Sequence, residues 1–193
     1  MASDSFGPSA LATPANAITI GRLLLTPFWL VIVIAQGSSW PAFLIGFVLA
    51  ATDGVDGWIA RRQGVTRSGA FLDPLADKFL VVGGLFALAV KGVFWWVPVA
   101  IIAAREVAIS GYRSWVGRRG VSVPARLSAK VKTVTQEFAL GFALLPLTAD
   151  VPVIARSVLW IAVALALVSG AQYFVDGRRQ LVSDASPDPS PTI

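Results

Sequence analysis

Six nearly unbroken apolar stretches run along the chain, separated by short polar segments. They cover roughly Ile18–Gln36, Pro41–Ala60, Leu72–Lys91, Trp95–Tyr112, Val131–Thr148 and Ile154–Val175. A helix needs about 20 mostly apolar residues to cross the hydrocarbon core of a bilayer. The pattern therefore predicts an all-α integral membrane fold with six transmembrane helices. The first stretch starts too late, and without a basic leader, to be a cleavable signal peptide. Residues 1–14 are small and polar, and residues 181–193, with three prolines in SDASPDPSPTI, are rich in polar turn formers. Both ends are expected as disordered tails. Between them, residues 15–180 form one six-helix domain, with no internal repeat and no linker that would divide it.

Composition agrees with the pattern. Of 193 residues, 55% are hydrophobic and only 14% charged, and the mean hydropathy is +0.71. A soluble domain carries about 25% charged residues. The chain has neither Cys nor His, which excludes disulfides, thiolate chemistry and imidazole bases or ligands. Any chemistry must run on carboxylates, hydroxyls, Arg and Lys. The net charge of +5 is expected to mark a membrane face, not a nucleic-acid partner. Arg61, Arg62 and Arg67 follow the second stretch. Arg113, Arg118, Arg119, Arg126, Lys130 and Lys132 lie between or beside the fourth and fifth, and Arg178 and Arg179 follow the sixth. The other side holds only Lys91 and Arg156, while Arg22, Lys78 and Arg105 fall inside stretches. The positive-inside rule then places both termini, and the loops after the second and fourth helices, in the cytoplasm.

The second and third stretches contain four carboxylates: Asp53, Asp56, Asp73 and Asp77. An ionised Asp at the bilayer centre costs about 2.5–3.5 kcal/mol, and such groups usually mark function. Asp53 and Asp56 are three residues apart and Asp73 and Asp77 four, so each pair shares a helix face. Gly57 and Ala60 continue the face of Asp53 and leave it open to close approach. The short loop makes these helices expected antiparallel neighbours, so that the pairs can converge. Clustered carboxylates repel unless cations neutralise them. Oxygen ligands alone suit hard ions such as Mg²⁺, Mn²⁺ or Ca²⁺. Two ions beside Arg61, Thr66 and Gly69 would clamp a phosphate anhydride. The plainer alternative pairs the carboxylates with Arg22, Lys78 or Arg105 as interhelical salt bridges, with Gly57, Ala60 and Gly69 serving helix packing.

These residues resemble the signature of the CDP-alcohol phosphatidyltransferase family, D-x2-D-G-x2-A-R, seven or eight residues, then G-x3-D-x3-D. Asp53, Asp56, Gly57, Ala60, Arg61, Gly69, Asp73 and Asp77 match every fixed position, with a seven-residue gap. The resemblance implies six transmembrane helices, a homodimer and a cavity open to the cytoplasmic leaflet of the cell membrane. Within the family the chain is most similar to members that use glycerol 3-phosphate. The supporting stretches are Asn16, Thr19 and Arg22 in an N-x2-T-x2-R opening, Leu72-Asp73-Pro74 leading to Ala76-Asp77-Lys78, Arg105-Glu106, Gly111-Tyr112-Arg113, and Lys130 to Gln136. One departure is Ser128-Ala129 before Lys130, where those members carry Gly-Lys and cardiolipin-forming members favour Ser-Lys.

The resemblance implies transfer of a phosphatidyl group from CDP-diacylglycerol to glycerol 3-phosphate, giving phosphatidylglycerophosphate and CMP. Asp53, Asp56, Asp73 and Asp77 are the expected ligands of two Mg²⁺ or Mn²⁺ ions, and Asp77 also the general base. Asn16, Thr19, Gly57, Ala60, Arg61, Thr66 and Gly69 are expected to bind CDP-diacylglycerol. Arg113, Lys130 and Lys132, then Arg105 and Arg118, are expected to hold the acceptor phosphate. Basic loops also anchor to anionic headgroups at about 1 kcal/mol per charge, so membrane lipid is an expected partner of the same residues. Glu106 and Gln136 read as helix-to-helix hydrogen-bond partners, and Trp40, Trp95, Trp96 and Trp115 as an interfacial belt. The alternatives are a cardiolipin or inositol-phosphate transferase of the same fold and, in another class, a divalent-cation transporter.

Overall fold

A computed structural model describes the backbone of residues 14–63, 69–117 and 127–185; the side chains at 14–15, 53–63, 69–71, 127–129 and 177–185 lie outside that description. All regular structure among the described residues is helical: α1 (Pro14–Gln36), α2 (Trp40–Gln63), α3 (Gly69–Val90), α4 (Trp96–Gly117), α5 (Leu127–Leu144) and α6 (Pro152–Ala185), with a 3₁₀ turn at Pro146–Thr148.

The helix ends follow from local chemistry. Gly37 has φ 68° and its N–H bonds the Val33 carbonyl at 2.8 Å, closing α1. Gly92 has φ 81°, with its N–H on Ala89 and the Val93 N–H on Leu88 at 3.0 and 2.9 Å. These left-handed caps favour glycine because residues with a Cβ rarely adopt a positive φ. The Ser39 hydroxyl caps α2 by accepting from the Ala42 N–H at 3.3 Å. The fifth helix departs from the sequence expectation by stopping at Leu144 instead of Thr148. Pro146 lacks an N–H and disfavours helical backbone before it, and Leu145 is extended at φ −69°, ψ 119°. The sixth helix has 34 residues, about 51 Å at 1.5 Å per residue, and continues well past the expected Val175.

Packing divides the helices into two groups. The first helix packs on α2 and α3, the last on α4 and α5, and slighter contacts join the groups through α3 and α5. The sequence led us to expect α2 and α3 as direct neighbours. Among the described contacts they touch only slightly, because α1 packs against both. Trp29 of α1, 2% exposed, fills the space between them and donates its indole N–H to the Ala42 carbonyl at 2.8 Å. A Cβ on Gly46 would approach the indole to 2.9 Å, and one on Gly84 to 2.7 Å. Small residues at these two points let an aromatic ring act as the wedge.

Two segments among the described residues are long and apolar enough to cross a membrane, Asn16–Gln36 and Pro152–Asp176, each with mean hydropathy 2.1. Less than half of each segment is buried, and Leu24, Leu25, Phe28, Ile161, Leu167 and Val168 are exposed. An all-helical fold with so apolar an exterior is consistent with an integral membrane protein.

Candidate active site

The N-terminal half of α1 buries a polar stripe, Asn16, Thr19, Arg22 and Thr26. The first three recur every third residue and so share one face. Thr26 turns its hydroxyl back onto the Arg22 carbonyl at 2.7 Å. Thr19 donates its hydroxyl to Asp73 Oδ1 at 2.7 Å. The opening of α1 is thereby joined to the first carboxylate of α3. Pro74 follows Asp73 inside α3 and removes the N–H that would have bonded the Ala70 carbonyl one turn back.

One turn further along α3, Asp77 lines a polar cleft of about 490 Å³ between α3, α4 and α5. Arg113, Lys130 and Lys132, expected at the acceptor phosphate, line the same cleft. The fold thus brings Asp77 together with all three. Lys78, Arg105, Glu106, Gln136 and Glu137 complete its charged and amide lining. Lys78 donates to the Ser110 hydroxyl, which itself donates to the Glu106 carbonyl at 2.6 Å. Five cations face three carboxylates around the cleft, a surplus that suits an entering phosphate.

Glu106 organises part of that charge. Its Oε1 accepts from Arg105 at 2.9 Å and from the Lys132 ammonium, which joins α4 to α5. Arg105 also donates to the Ser169 hydroxyl at 2.9 Å and the Ala166 carbonyl at 3.2 Å on α6. Arg105 runs past Gly170, where a Cβ would lie in ordinary contact with it at 3.6 Å. Glu106 and Lys132 are buried. Such pairs hold only while both partners remain, because a lone buried charge costs about 3–5 kcal/mol. The reading of Glu106 as a helix-to-helix partner agrees with this geometry. Gln136 is 2% exposed, and its amide nitrogen has no partner among the described residues. The sequence reading made it a helix-to-helix hydrogen-bond partner; its place in the cleft lining could not be seen there, since spacing along one helix does not show what an amide faces.

Beside the polar cleft lies an apolar groove of about 460 Å³, walled by Phe43, Phe47, Leu80, Phe138, Leu140 and neighbours. Val81 and Glu137 line both cavities, so the two share a wall.

The remaining site residues divide between elements and connections. Asp53, Asp56, Gly57, Ala60 and Arg61 lie on the second half of α2, and Gly69 opens α3, with their side-chain surroundings outside the described residues. Thr66 and Arg118 lie outside the described residues altogether. Among the described residues no three Asp or Glu side chains form a metal-binding group; of the four motif carboxylates, only Asp73 and Asp77 are described. The donor chemistry nevertheless fits a hard divalent ion. The motif offers carboxylate oxygens alone, and Thr19 orients Asp73 with a hydrogen bond of the kind that holds ligating carboxylates in place.

The sequence matches the CDP-alcohol phosphatidyltransferase family over residues 12–168. It is 36% identical over 182 residues to a Mycobacterium tuberculosis protein named "Probable phosphatidylglycerophosphate synthase", covering 91% of this chain and 86% of the relative. It is 38% identical over 173 residues to a protein of Escherichia coli strain K12, covering 86% of this chain and 94% of that one. A Shigella flexneri relative matches at the same identity and coverage. Both of these are named CDP-diacylglycerol–glycerol-3-phosphate 3-phosphatidyltransferase.

Proposed function

Because the chain belongs to the CDP-alcohol phosphatidyltransferase family, we infer that it transfers the phosphatidyl group of CDP-diacylglycerol to glycerol 3-phosphate. The products are phosphatidylglycerophosphate and CMP. The observation that carries the reading is the wall shared by the two cavities at Val81 and Glu137. An apolar groove next to a cation-rich cleft suits a reaction that joins a lipid to a small phosphate dianion. The groove takes acyl chain, and the cleft takes the acceptor.

Arg113 and Lys130 are exposed and meet the acceptor phosphate as it arrives from water. Lys132, held by Glu106, supplies a fixed charge deeper in the cleft, where little reorganisation is needed. The Gln136 amide orients the acceptor. The acceptor hydroxyl attacks the phosphorus on the diacylglycerol side of the anhydride, and its proton passes to the Asp77 carboxylate. The bond from that phosphorus to the bridging oxygen breaks, and CMP leaves with the electron pair. Arg61 and Thr66 bind the nucleotide phosphates, Gly57, Ala60 and Gly69 allow close approach, and Asn16 and Thr19 border the same site. Asp53, Asp56, Asp73 and Asp77 would hold two Mg²⁺ or Mn²⁺ ions, which when bound neutralise the anhydride and stabilise the charge gathering on CMP.

We also propose that all six helices of the unit 15–180 cross the cell membrane, with both termini and the cleft on the cytoplasmic side, and that the enzyme is a homodimer. The distribution of Lys and Arg supports the orientation, and the family resemblance supports the pairing. A transporter reading has no comparable support, since the carboxylate motif has the order and spacing of the family signature.

The decisive assay is CMP release by purified protein in lipid with Mg²⁺, CDP-diacylglycerol and glycerol 3-phosphate. Release should require glycerol 3-phosphate and fall at least about 100-fold in Asp77→Asn, the lower end for removal of a general base. Release only with phosphatidylglycerol or inositol phosphate would move the acceptor assignment and leave the chemistry. Silence with every acceptor would sink the reading.

A further inference from the structure

The end of the molecule opposite the polar cleft has a pocket of its own. Three connections meet there, as their hydrogen bonds show. Ser38 and Ser39, between α1 and α2, donate to the Leu144 carbonyl at the end of α5 at 3.2 and 3.1 Å. Lys91, after α3, donates to Ala35 near the end of α1 at 2.9 Å. Arg156, in the first turns of α6, donates through Nε to the Val93 carbonyl at 3.1 Å. Between these connections is a cavity of about 260 Å³ lined by Lys91, Arg156, Ser38 and Thr148, among others.

Its charge is one-sided. Lys91 and Arg156 are the two cations that the sequence leaves on this side, and both line one small cavity. Each makes one hydrogen bond to a backbone carbonyl, while an ammonium has three N–H donors and a guanidinium five. Neither makes a further polar contact among the described residues. Asp150, on the connection before α6, forms no ion pair with either. The first turn of α6 also borders the cavity through Pro152 and Ala155, adding the positive end of a helix dipole. Around this end Trp95, Leu147, Val151 and Val153 are all exposed, and exposed Trp at a helix start marks the interface between headgroups and acyl chains.

The geometry points to a binding site for the phosphate headgroup of an anionic glycerophospholipid, in the leaflet opposite the one that the polar cleft serves. Two cations with spare donors and no facing carboxylate select a net negative headgroup over a zwitterionic one. The apolar residues around the rim give the lipid's chains a surface to lie on. The site ties together the three connections at this end and takes no part in the transfer reaction. Its placement in that leaflet rests on the six-span reading above, but binding by purified protein does not depend on that reading or on activity, so the two can fail separately.

The test is lipid titration of the purified full chain, followed by native mass spectrometry. The probes are phosphatidylglycerol, phosphatidylcholine and water-soluble glycerol phosphate. Phosphatidylglycerol should bind more tightly than phosphatidylcholine. The pair Lys91→Gln with Arg156→Gln should weaken phosphatidylglycerol binding by about 25-fold, roughly fivefold for each cation removed near an anionic lipid surface. Phosphatidylcholine binding should not change, and Arg178→Gln at the other end should leave this lipid in place. Equal phosphatidylglycerol affinity in wild type and double variant overturns the proposal. So does loss of both lipids together, as a purely structural role of the two cations would give. Glycerol phosphate held in the polar cleft should be untouched by the double variant, and glycerol phosphate binding that falls in that variant as far as lipid binding does overturns the lipid assignment. Should the double variant fail to fold, a photoactivatable phosphatidylglycerol on the wild-type protein decides. Labelling at Ser38, within residues 91–93 or within residues 142–156 supports the site, and labelling confined elsewhere removes it.

Discussion

Thr19 shows how one hydroxyl can carry more than its sequence context suggests. It lies at the start of α1, is 1% exposed, and donates a hydrogen bond to Asp73. The spacing of Asn16, Thr19 and Arg22 signals a shared face, but not what that face meets. If Asp73 is a metal ligand, Thr19 fixes its orientation, and loss of such a hydrogen bond typically costs 10–100-fold in metal affinity or activity. Thr19→Val keeps shape and burial but removes the donor. Its half-maximal Mg²⁺ concentration for CMP release should rise by about 10-fold or more, and Thr19→Ser should restore it. An unchanged Mg²⁺ dependence in Thr19→Val would separate Thr19 from the metal site. Glu106 holds Arg105 and Lys132 in a similar way. The sequence placed Lys132 among the acceptor contacts without showing that a buried glutamate holds it.

At the scale of the helices, the packing of α1 between α2 and α3 depends on two glycines. Alanine is ordinarily better than glycine inside a helix by about 1 kcal/mol. At Gly84 the new Cβ would meet the Trp29 ring at 2.7 Å and Leu140 at 2.9 Å. Overpacking of this kind costs about 1–3 kcal/mol, which outweighs the gain. Gly84→Ala should therefore lower the thermal midpoint in detergent, whereas Gly111→Ala, with open space at that point, should leave it level or raise it. Equal midpoints would mean that the wedge is loose. The existence of six helices could be read from apolar runs, because each run is long enough for several helical turns and is set off by polar segments. The end of α5 could be read less well. Its apolar run continues through Leu147, and Pro146 alone turns the last residues into a 3₁₀ turn. The contact order of the helices could not be read, since a short loop shows which helices run antiparallel but not which one wedges between them.

For the whole molecule, the charge asymmetry makes orientation testable. The chain contains no cysteine, so a single introduced thiol reports without background. Ala149→Cys, exposed on the connection before α6, should react with a membrane-impermeant maleimide in intact cells. Ser114→Cys, exposed near the end of α4, should react only after permeabilisation. The reverse pattern would invert the molecule and overturn the proposed cytoplasmic placement of the cleft. The sequence by itself determined the membrane character, the direction of the charge bias, the family and the carboxylate motif. These properties reside in composition and in spacing along one or two helices. Tertiary structure decided the rest: that Asp77 shares a cleft with Arg113, Lys130 and Lys132, that Glu106 holds Lys132, and that an apolar groove adjoins the cleft at Val81. Only tertiary structure could place Lys91 and Arg156, 65 residues apart in the chain, in one small pocket. The physical reason is the same in each case. Such residues lie on different helices, and their meeting depends on how helix faces pack, which no spacing along a single helix specifies.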